Sequence, residues 1–361
     1  MTQNSVATRK PDTLWYTRCP VPTASGIAIQ HGWIDEEFAA DGIRVSSLRA
    51  SPDRAVRESH FDHTKEDSFR QGGNAPPIWA RSEGRDIKVV GLTWLPQYQS
   101  ILSLKGSPVK SVKDLRGRRV ALPRRVNDQM DFWAASTKQG ILQALALEGL
   151  GEKDVTWVDL PVHQTYIADP AASSSGALFG ARQRAQSASA ESFALIRGEV
   201  DAIYHYGASG PALEAFFDAH VVLDLNHHPD QEVAINNGTP NVLTVSGGLL
   251  RERPDLVARY LAQVLRAAYW ARNHRAEAGV IFAREVSAVE EWLPEAFDES
   301  LYENLLPTLD DRLVHALEVR KDFLLKHGYL RKDFSVADWI DPKPLAAAHE
   351  LNRSRPVLKA A

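Results

Sequence analysis

A single cysteine, Cys19, stands among 361 residues. No intramolecular disulfide is possible, and nothing in the sequence asks for an oxidising compartment. An excess of charge of one sign is also missing. The formal net charge is −4, which argues against a dedicated nucleic-acid binder. The densest basic stretch, Lys110 to Arg125, also carries Asp114 and is broken by Leu115, Val120 and Pro123. It reads as a solvated loop and strand edge rather than a phosphate-binding stripe. Long apolar runs are absent too. No segment reaches the length that spans a bilayer, and Met1 to Asp12 is polar, without the apolar centre of a secretory signal. A cytoplasmic chain with no membrane insertion is expected.

What is present describes an ordinary globular protein, 44% hydrophobic and 24% charged. A chain of this length exceeds what one core organises, so two domains are expected. Strands and helices alternate. Ile87 to Leu92, Arg119 to Leu122, Val155 to Leu160, Ala202 to Tyr204 and Val221 to Leu225 read as strands. Ser111 to Gly117 reads as a short helix ending at a glycine, and Gln139 to Gly149 as a longer one. Pro254 to Asn273 is amphipathic with proline at its start, and the C-terminal third through His327 is mainly helical. Such alternation favours a mostly parallel sheet with helices on its faces. Ala171 to Ser192, rich in Ala, Ser, Gly and Gln, reads as a long surface loop.

Three segments near the N-terminus carry the chemistry. In the first, Thr17-Arg18-Cys19-Pro20-Val21-Pro22, the thiol sits at a strand end with a helix beginning a few residues later. Helix-end amides there can stabilise a thiolate, and Arg18 would add to this if it turned inward. Taken alone, a single cysteine is more commonly a small buried hydrophobe. The second, Ser59-His60-Phe61-Asp62-His63, has two histidines and an aspartate, but their spacing matches no closed metal site, and no metal is expected. His60 can serve as an anion ligand or proton donor. The third, Phe69-Arg70-Gln71-Gly72-Gly73-Asn74, offers a guanidinium fork for two oxygens, with glycines that let backbone amides approach the same anion. On its own, His60 also reads as a surface or satisfied core histidine, and the third segment as a glycine turn with a solvated arginine. Thiol, imidazole and guanidinium in three successive loops of one α/β domain point to one site.

The pattern Ala28 to Phe38, a helix, a stop at Gly32 and a short acidic helix, leads through Asp41-Gly42-Ile43 into a strand from Arg44 to Leu48. It resembles the opening of substrate-binding proteins for sulfonates, taurine and related anions. Asp114 to Val120 and Gly198 to Ala202 resemble later landmarks of the same superfamily. The resemblance implies a periplasmic-binding-protein type II-like fold: two α/β domains, residues 1–97 with 240–361 and residues 98–239, and a ligand cleft between them. The chain would cross near Trp94 to Gln99 and near Asn236 to Val242. Ligands of open α/β sheets bind outside the carboxyl ends of the strands, which here means that cleft.

Within this superfamily the chain resembles the 2'-hydroxybiphenyl-2-sulfinate desulfinase family. The family's Cys-Pro-Val-Pro loop is matched by Cys19 to Pro22, its His-Phe pair by His60-Phe61, and its Arg-x-Gly-Gly motif by Arg70 to Gly73, with Pro76-Pro77 following. The resemblance implies carbon–sulfur cleavage with no cofactor. Arg70, with the Gly72 and Gly73 amides and His60, would bind a small organic anion, a sulfinate or sulfonate. Cys19 would act either as proton donor to the ring carbon or as nucleophile at sulfur, with His60 orienting the reacting groups. Arg18 departs from the family's uncharged asparagine, and would enlarge the anion site or face solvent. Trp133, Trp94 and Tyr98 are candidates for an aromatic pocket. The competing expectation is a non-catalytic solute-binding protein that keeps Cys19 as a wall residue. A ligand sensor or a pyrimidine-precursor synthase of the same fold is a weaker fit, the latter needing more His and Cys. A monomer is expected.

Overall fold

The computed structural model describes residues 9–167 and 190–354. The long loop expected over Ala171 to Ser192 therefore lies outside the described residues, except that its last three positions open a helix.

Two sheets organise the chain. The first contains β1 (Thr13–Arg18), β2 (Arg44–Ser47), β3 (Ser68–Gly72) and β4 (Ile87–Thr93). The helices between them are α1 (Ala24–Gln30), α2 (Trp33–Ala39), α3 (Arg54–Asp62) and α4 (Ala75–Ser82). Gly32, at φ +73°, separates α1 from α2 as the sequence predicts. The chain then enters the second sheet: β5 (Gln99–Leu104), β6 (Arg119–Arg125), α5 (Phe132–Leu147), β7 (Thr156–Val162), α6 (Ala190–Ile196), β8 (Ile203–Tyr206), α7 (Gly210–Phe216) and β9 (Ala219–Asp224). β10 (Asn241–Ser246) returns to the first sheet. The remaining longer helices are α8 (Gly247–Glu252), α9 (Pro254–Asn273), α10 (Arg275–Val286), α11 (Asp311–Lys326) and α12 (Lys343–Ser354). No helix among the described residues is long and apolar enough to cross a membrane.

The first sheet runs β2-β1-β3-β10-β4. β1 is parallel to β2 and β3, whereas the returning β10 is antiparallel to β3 and β4. In the second sheet β5 is antiparallel to β8 and β9, and β6 is parallel to β7. A single bridge between Val120 and Ala202 joins these two parts, giving the order β7-β6-β8-β5-β9. The two sheets thus repeat one plan. The mostly parallel sheet expected from the sequence is borne out, and the one strand that runs against its neighbours in each sheet is the crossing strand, β10 or β5.

Local differences have local causes. Ser111 to Gly117 forms only one 3-10 turn, Val112–Leu115, because Ser111 and Asp114 cap each other and Gly117 at φ +74° ends the turn. α5 begins at Phe132, seven residues before the expected Gln139, because Asp131 caps it by accepting from the Ala134 amide at 3.0 Å. α9 spans the expected Pro254–Asn273, and its apolar face packs into a core with Leu14, Ile27, Phe38 and Phe69.

The halves are tied by Arg320 of α11, which is fully buried with no carboxylate partner among the described ion pairs. Its Nε donates to Asn74 Oδ1 of the first half at 3.2 Å. Nη1 donates to Gln139 Oε1 and Nη2 to Ser136 Oγ, both on α5 of the second half. Burial lowers its pKa to about 10, still well above neutrality, so the cation persists and amide and hydroxyl oxygens carry its charge.

Candidate active site

Strand alternation builds the centre of the site. Thr17 on β1 lies opposite Arg70 on β3, and Arg18 opposite Gln71. With a period of two, Thr17, Cys19 and Arg70 share one side while Arg18 and Gln71 share the other. Cys19 follows β1 directly and is held by its amide, which donates to the Gln71 carbonyl at 3.1 Å. Arg70 is buried, and its guanidinium is fixed along three edges. Nε donates to the His60 carbonyl at 3.2 Å, Nη1 to the Gly73 carbonyl at 2.8 Å, and Nη2 to Cys19 Sγ at 3.3 Å.

The two glycines have steric causes. A Cβ on Gly72, at φ +152°, would lie 2.4 Å from Cys19 Sγ and 2.7 Å from its Cβ. One on Gly73 would lie 2.5 Å from the Asn237 amide nitrogen. Asn237, on the segment returning to the first sheet, accepts from Asn74 and Ala75 amides through its carbonyl and Oδ1. Pro76 and Pro77 have no amide hydrogen, so the start of α4 offers little to an anion. The helix following Cys19 is likewise occupied: Ser25 N donates to Gln71 Oε1 and Gly26 N to Thr23 Oγ1. The cation beside the sulfur is Arg70, where helix-end amides were expected.

His60 lies in the last turn of α3, capped at its start by Asp53. It is buried, and its Nδ1 is hydrogen-bonded to Thr17 Oγ1 at 2.8 Å. Burial, followed by the cations of Arg70 and Arg49, holds its pKa well below the usual histidine value, so the ring is neutral. His63 ends the helix in the left-handed region, its Nδ1 3.0 Å from the Phe61 carbonyl; burial and Arg70 lower its pKa to about 3. Among the described residues no group of His, Cys, Asp and Glu could hold a metal ion.

Arg18 turns away from this centre. Its Nε donates to Glu285 Oε2 of α10 at 2.7 Å and its Nη2 to Oε1. Neither expectation for Arg18 holds: it neither enlarges the anion site nor faces solvent, because alternation puts it on the helix side of the sheet.

An aromatic wall adjoins His60. Tyr166 stacks on the His60 ring at 5.3 Å and meets Phe61 at 5.6 Å and Phe132 at 5.5 Å edge-on. Arg125 lies over Trp133 at 4.8 Å and near Phe132 and Tyr166, and Arg49 sits 5.4 Å from the Tyr166 ring. Burial raises the Tyr166 pKa to about 12, keeping its phenol protonated. Of the expected aromatic residues only Trp133 reaches this wall. Tyr98 is committed elsewhere, its hydroxyl donating to Glu214 at 2.6 Å, and Trp94 lies beneath Arg312.

The likenesses to known proteins follow this geometry. A family model described as NMT1/THI5 like matches residues 28–177. The 2'-hydroxybiphenyl-2-sulfinate desulfinase of Rhodococcus erythropolis is 29% identical over 371 aligned residues, covering 95% of each chain. The crystal structure of the desulfurization enzyme DSZB superposes with a TM-score of 0.72 at 28% identity, covering 95% of this chain and all of that one. The chain is thus similar to the desulfinases over nearly its whole length. A Cys→Ser mutant of DSZB bound to biphenyl-2-sulfinic acid gives the same TM-score at 26% identity and the same coverage. The periplasmic aliphatic sulphonate binding protein SsuA from Escherichia coli, 17% identical with a TM-score of 0.64 over 92% of both chains, shares the fold. The desulfinase likeness and this fold agree with the architecture expected from the sequence.

Arg49, Arg125, Phe132 and Tyr166 of this wall carry no motif in the sequence. Arg125 was hidden in a stretch read as solvated, and indeed Arg116 and Arg119 pair at the surface with Asp154 and Asp201. The available signal was Asp131: its Oδ2 accepts from the Arg125 amide at 3.0 Å while its Oδ1 caps α5, tying the end of β6 to the start of that helix.

Proposed function

We propose that the protein is a desulfinase that breaks the carbon–sulfur bond of an aryl sulfinate, with water, to give the arene and sulfite. The observation that carries this is the Arg70–Cys19 contact of 3.3 Å. It sets a cation for the sulfinate oxygens beside the one thiol of the chain, with neutral His60 adjoining. The relationship to desulfinases over nearly the whole length supports the same reading.

Two balanced routes use these residues. In one, the Cys19 S–H protonates the ring carbon, which keeps the C–S electron pair. Sulfur dioxide departs, and water adds to it, giving hydrogen sulfite and returning a proton to the Cys19 sulfur. In the other, the Cys19 thiolate bonds to sulfur while the ring carbon leaves with the C–S pair and takes a proton. Water then splits the Cys19–sulfur bond, leaving hydrogen sulfite and the free thiol. Arg70 stabilises the oxygens in both. His60, fixed by Thr17, orients the reacting group, and the overall reaction is a hydrolysis.

Sulfite release from a panel of aryl and alkyl sulfinates, without added cofactor, tests the proposal. Wild type releases sulfite in step with substrate loss, Cys19→Ser releases none while still binding the anion, and Arg70→Ala loses both. Equal turnover by Cys19→Ser and wild type would remove the cysteine from the reaction. No sulfite from any substrate, with saturable stabilisation by sulfonates, would make the protein a solute-binding protein.

A further inference from the structure

Three arginines stand about the site, and one of them, Arg70, contacts Cys19. Arg70, Arg49 and Arg125 all surround the Tyr166–His60 stack, and both histidines nearby are neutral. Arg49 has no carboxylate partner among the described ion pairs, although its guanidinium lies 5.4 Å from the Tyr166 ring. Arg125 is the more informative. Its side chain is 10% exposed. Nη1 donates to the Gln164 carbonyl at 3.2 Å and lies 3.5 Å from Asp128 Oδ2. Nε is buried with no hydrogen-bond partner among the described residues.

Asp128 answers one edge of Arg125, through the 3.5 Å approach of its Oδ2 to Nη1, and leaves Nε open. Its Oδ1 already accepts from the Thr165 hydroxyl at 2.7 Å and the Tyr166 amide at 2.9 Å. It is a brace for the segment carrying Tyr166. Segment 168–189, outside the described residues, carries one acid against two arginines and so brings no net negative charge. A buried guanidinium edge without an acceptor, set against aromatic faces, is costly unless a ligand completes it.

We infer that the aryl sulfinate accepted here carries a second acidic group, which Arg125 and Arg49 receive across the ring from the Arg70–Cys19 centre. The geometry suits an aromatic dianion: from the His60 ring, steps of 5.3 Å to Tyr166 and 5.9 Å to Arg125 run along an aromatic wall. A planar guanidinium on a ring face is the arrangement that accepts a carboxylate edge-on while the ligand ring stacks. The identity of the first group as a sulfinate rests on the desulfinase reading. The preference for a second charge rests on the arginines alone.

The test is calorimetric titration of full-length Cys19→Ser protein, which binds without turnover. The probes are biphenyl-2-sulfinate and its 2'-, 3'- and 4'-carboxylated derivatives, with the carboxamides as uncharged controls. At least one carboxylate should bind at least about tenfold more tightly than both the parent and its carboxamide. Arg125→Gln and Arg49→Gln, each made in the Cys19→Ser protein, should shrink that preference at least about fivefold, with Arg125→Lys retaining part of it. Equal binding of parent, carboxamides and all carboxylates would overturn the inference, as would an undiminished preference in both glutamine variants. Sulfite release by wild type is measured beside it. Its absence removes the desulfinase reading, while the charge preference still decides this one.

Discussion

Replacing Gly72 by alanine probes the site at its tightest point. The new methyl carbon would fall 2.4 Å from Cys19 Sγ, 2.7 Å from its Cβ and 3.1 Å from its amide nitrogen. The backbone at φ +152° is one that only glycine adopts without strain, at about 1–3 kcal/mol for another residue. Overpacking adds about 1–3 kcal/mol, so the combined loss in stability is about 2–6 kcal/mol. The relief available is for the sulfur to move away from Arg70 Nη2, now 3.3 Å distant. A misplacement of about 1 Å at a reacting atom costs about 100-fold in rate. Urea unfolding reads the first effect and sulfite release the second. In a Cys19→Gly background the clash with the side chain is gone, and Gly72→Ala should cost only the strain part. The reasoning is refuted if Gly72→Ala matches wild type in both assays, or if it costs as much with Cys19→Gly as with cysteine.

Two further outcomes follow from the same geometry. Arg18→Asn should leave sulfite release within about twofold of wild type but lower stability by about 1–3 kcal/mol in urea unfolding, because the Glu285 side chain, 6% exposed, loses its cation. His60 and His63 titrate in the folded chain below the ordinary value of 6.5, so below that pH the unfolded chain binds more protons. Stability present above pH 6.5 is therefore lost as pH falls, by up to about 1.4 kcal/mol per unit for each histidine. For His63 this continues to about pH 3. His63→Asn, which tolerates the left-handed backbone, should flatten that acid limb in urea midpoints measured from pH 7 to 5.

Gly32, Gly117 and Pro254 were legible because each is a local event: a left-handed stop or a helix start needs only its own residue type. Cys19, His60 and Arg70 were legible as a set because β1 and β3 are parallel neighbours, so the ends of two early segments must meet. What lay hidden depends on contacts distant in sequence. Arg18 is answered by Glu285, 267 positions away, and nothing beside Arg18 announces it. Gly72 reads as an invitation to a backbone amide, yet its reason is the thiol next door. Tyr166 has no motif; it reaches the His60 ring because Asp128 holds its backbone there. The direction of β5 and β10 likewise follows from crossing between sheets, which periodicity does not record.

The single bridge between Val120 and Ala202 sets the order in which the molecule loosens. Arg320 rivets the two halves through Asn74, Gln139 and Ser136, while β6 and β7 adhere to the rest of their sheet along one narrow seam, reinforced by Arg119 and Asp201 at its end. Amide exchange should accordingly be two-speed, faster in β6 and β7 than in β3 and β10. Since Arg125 ends β6, loosening of that seam should shift its guanidinium against the Trp133 and Tyr166 rings without breaking the Arg320 contacts.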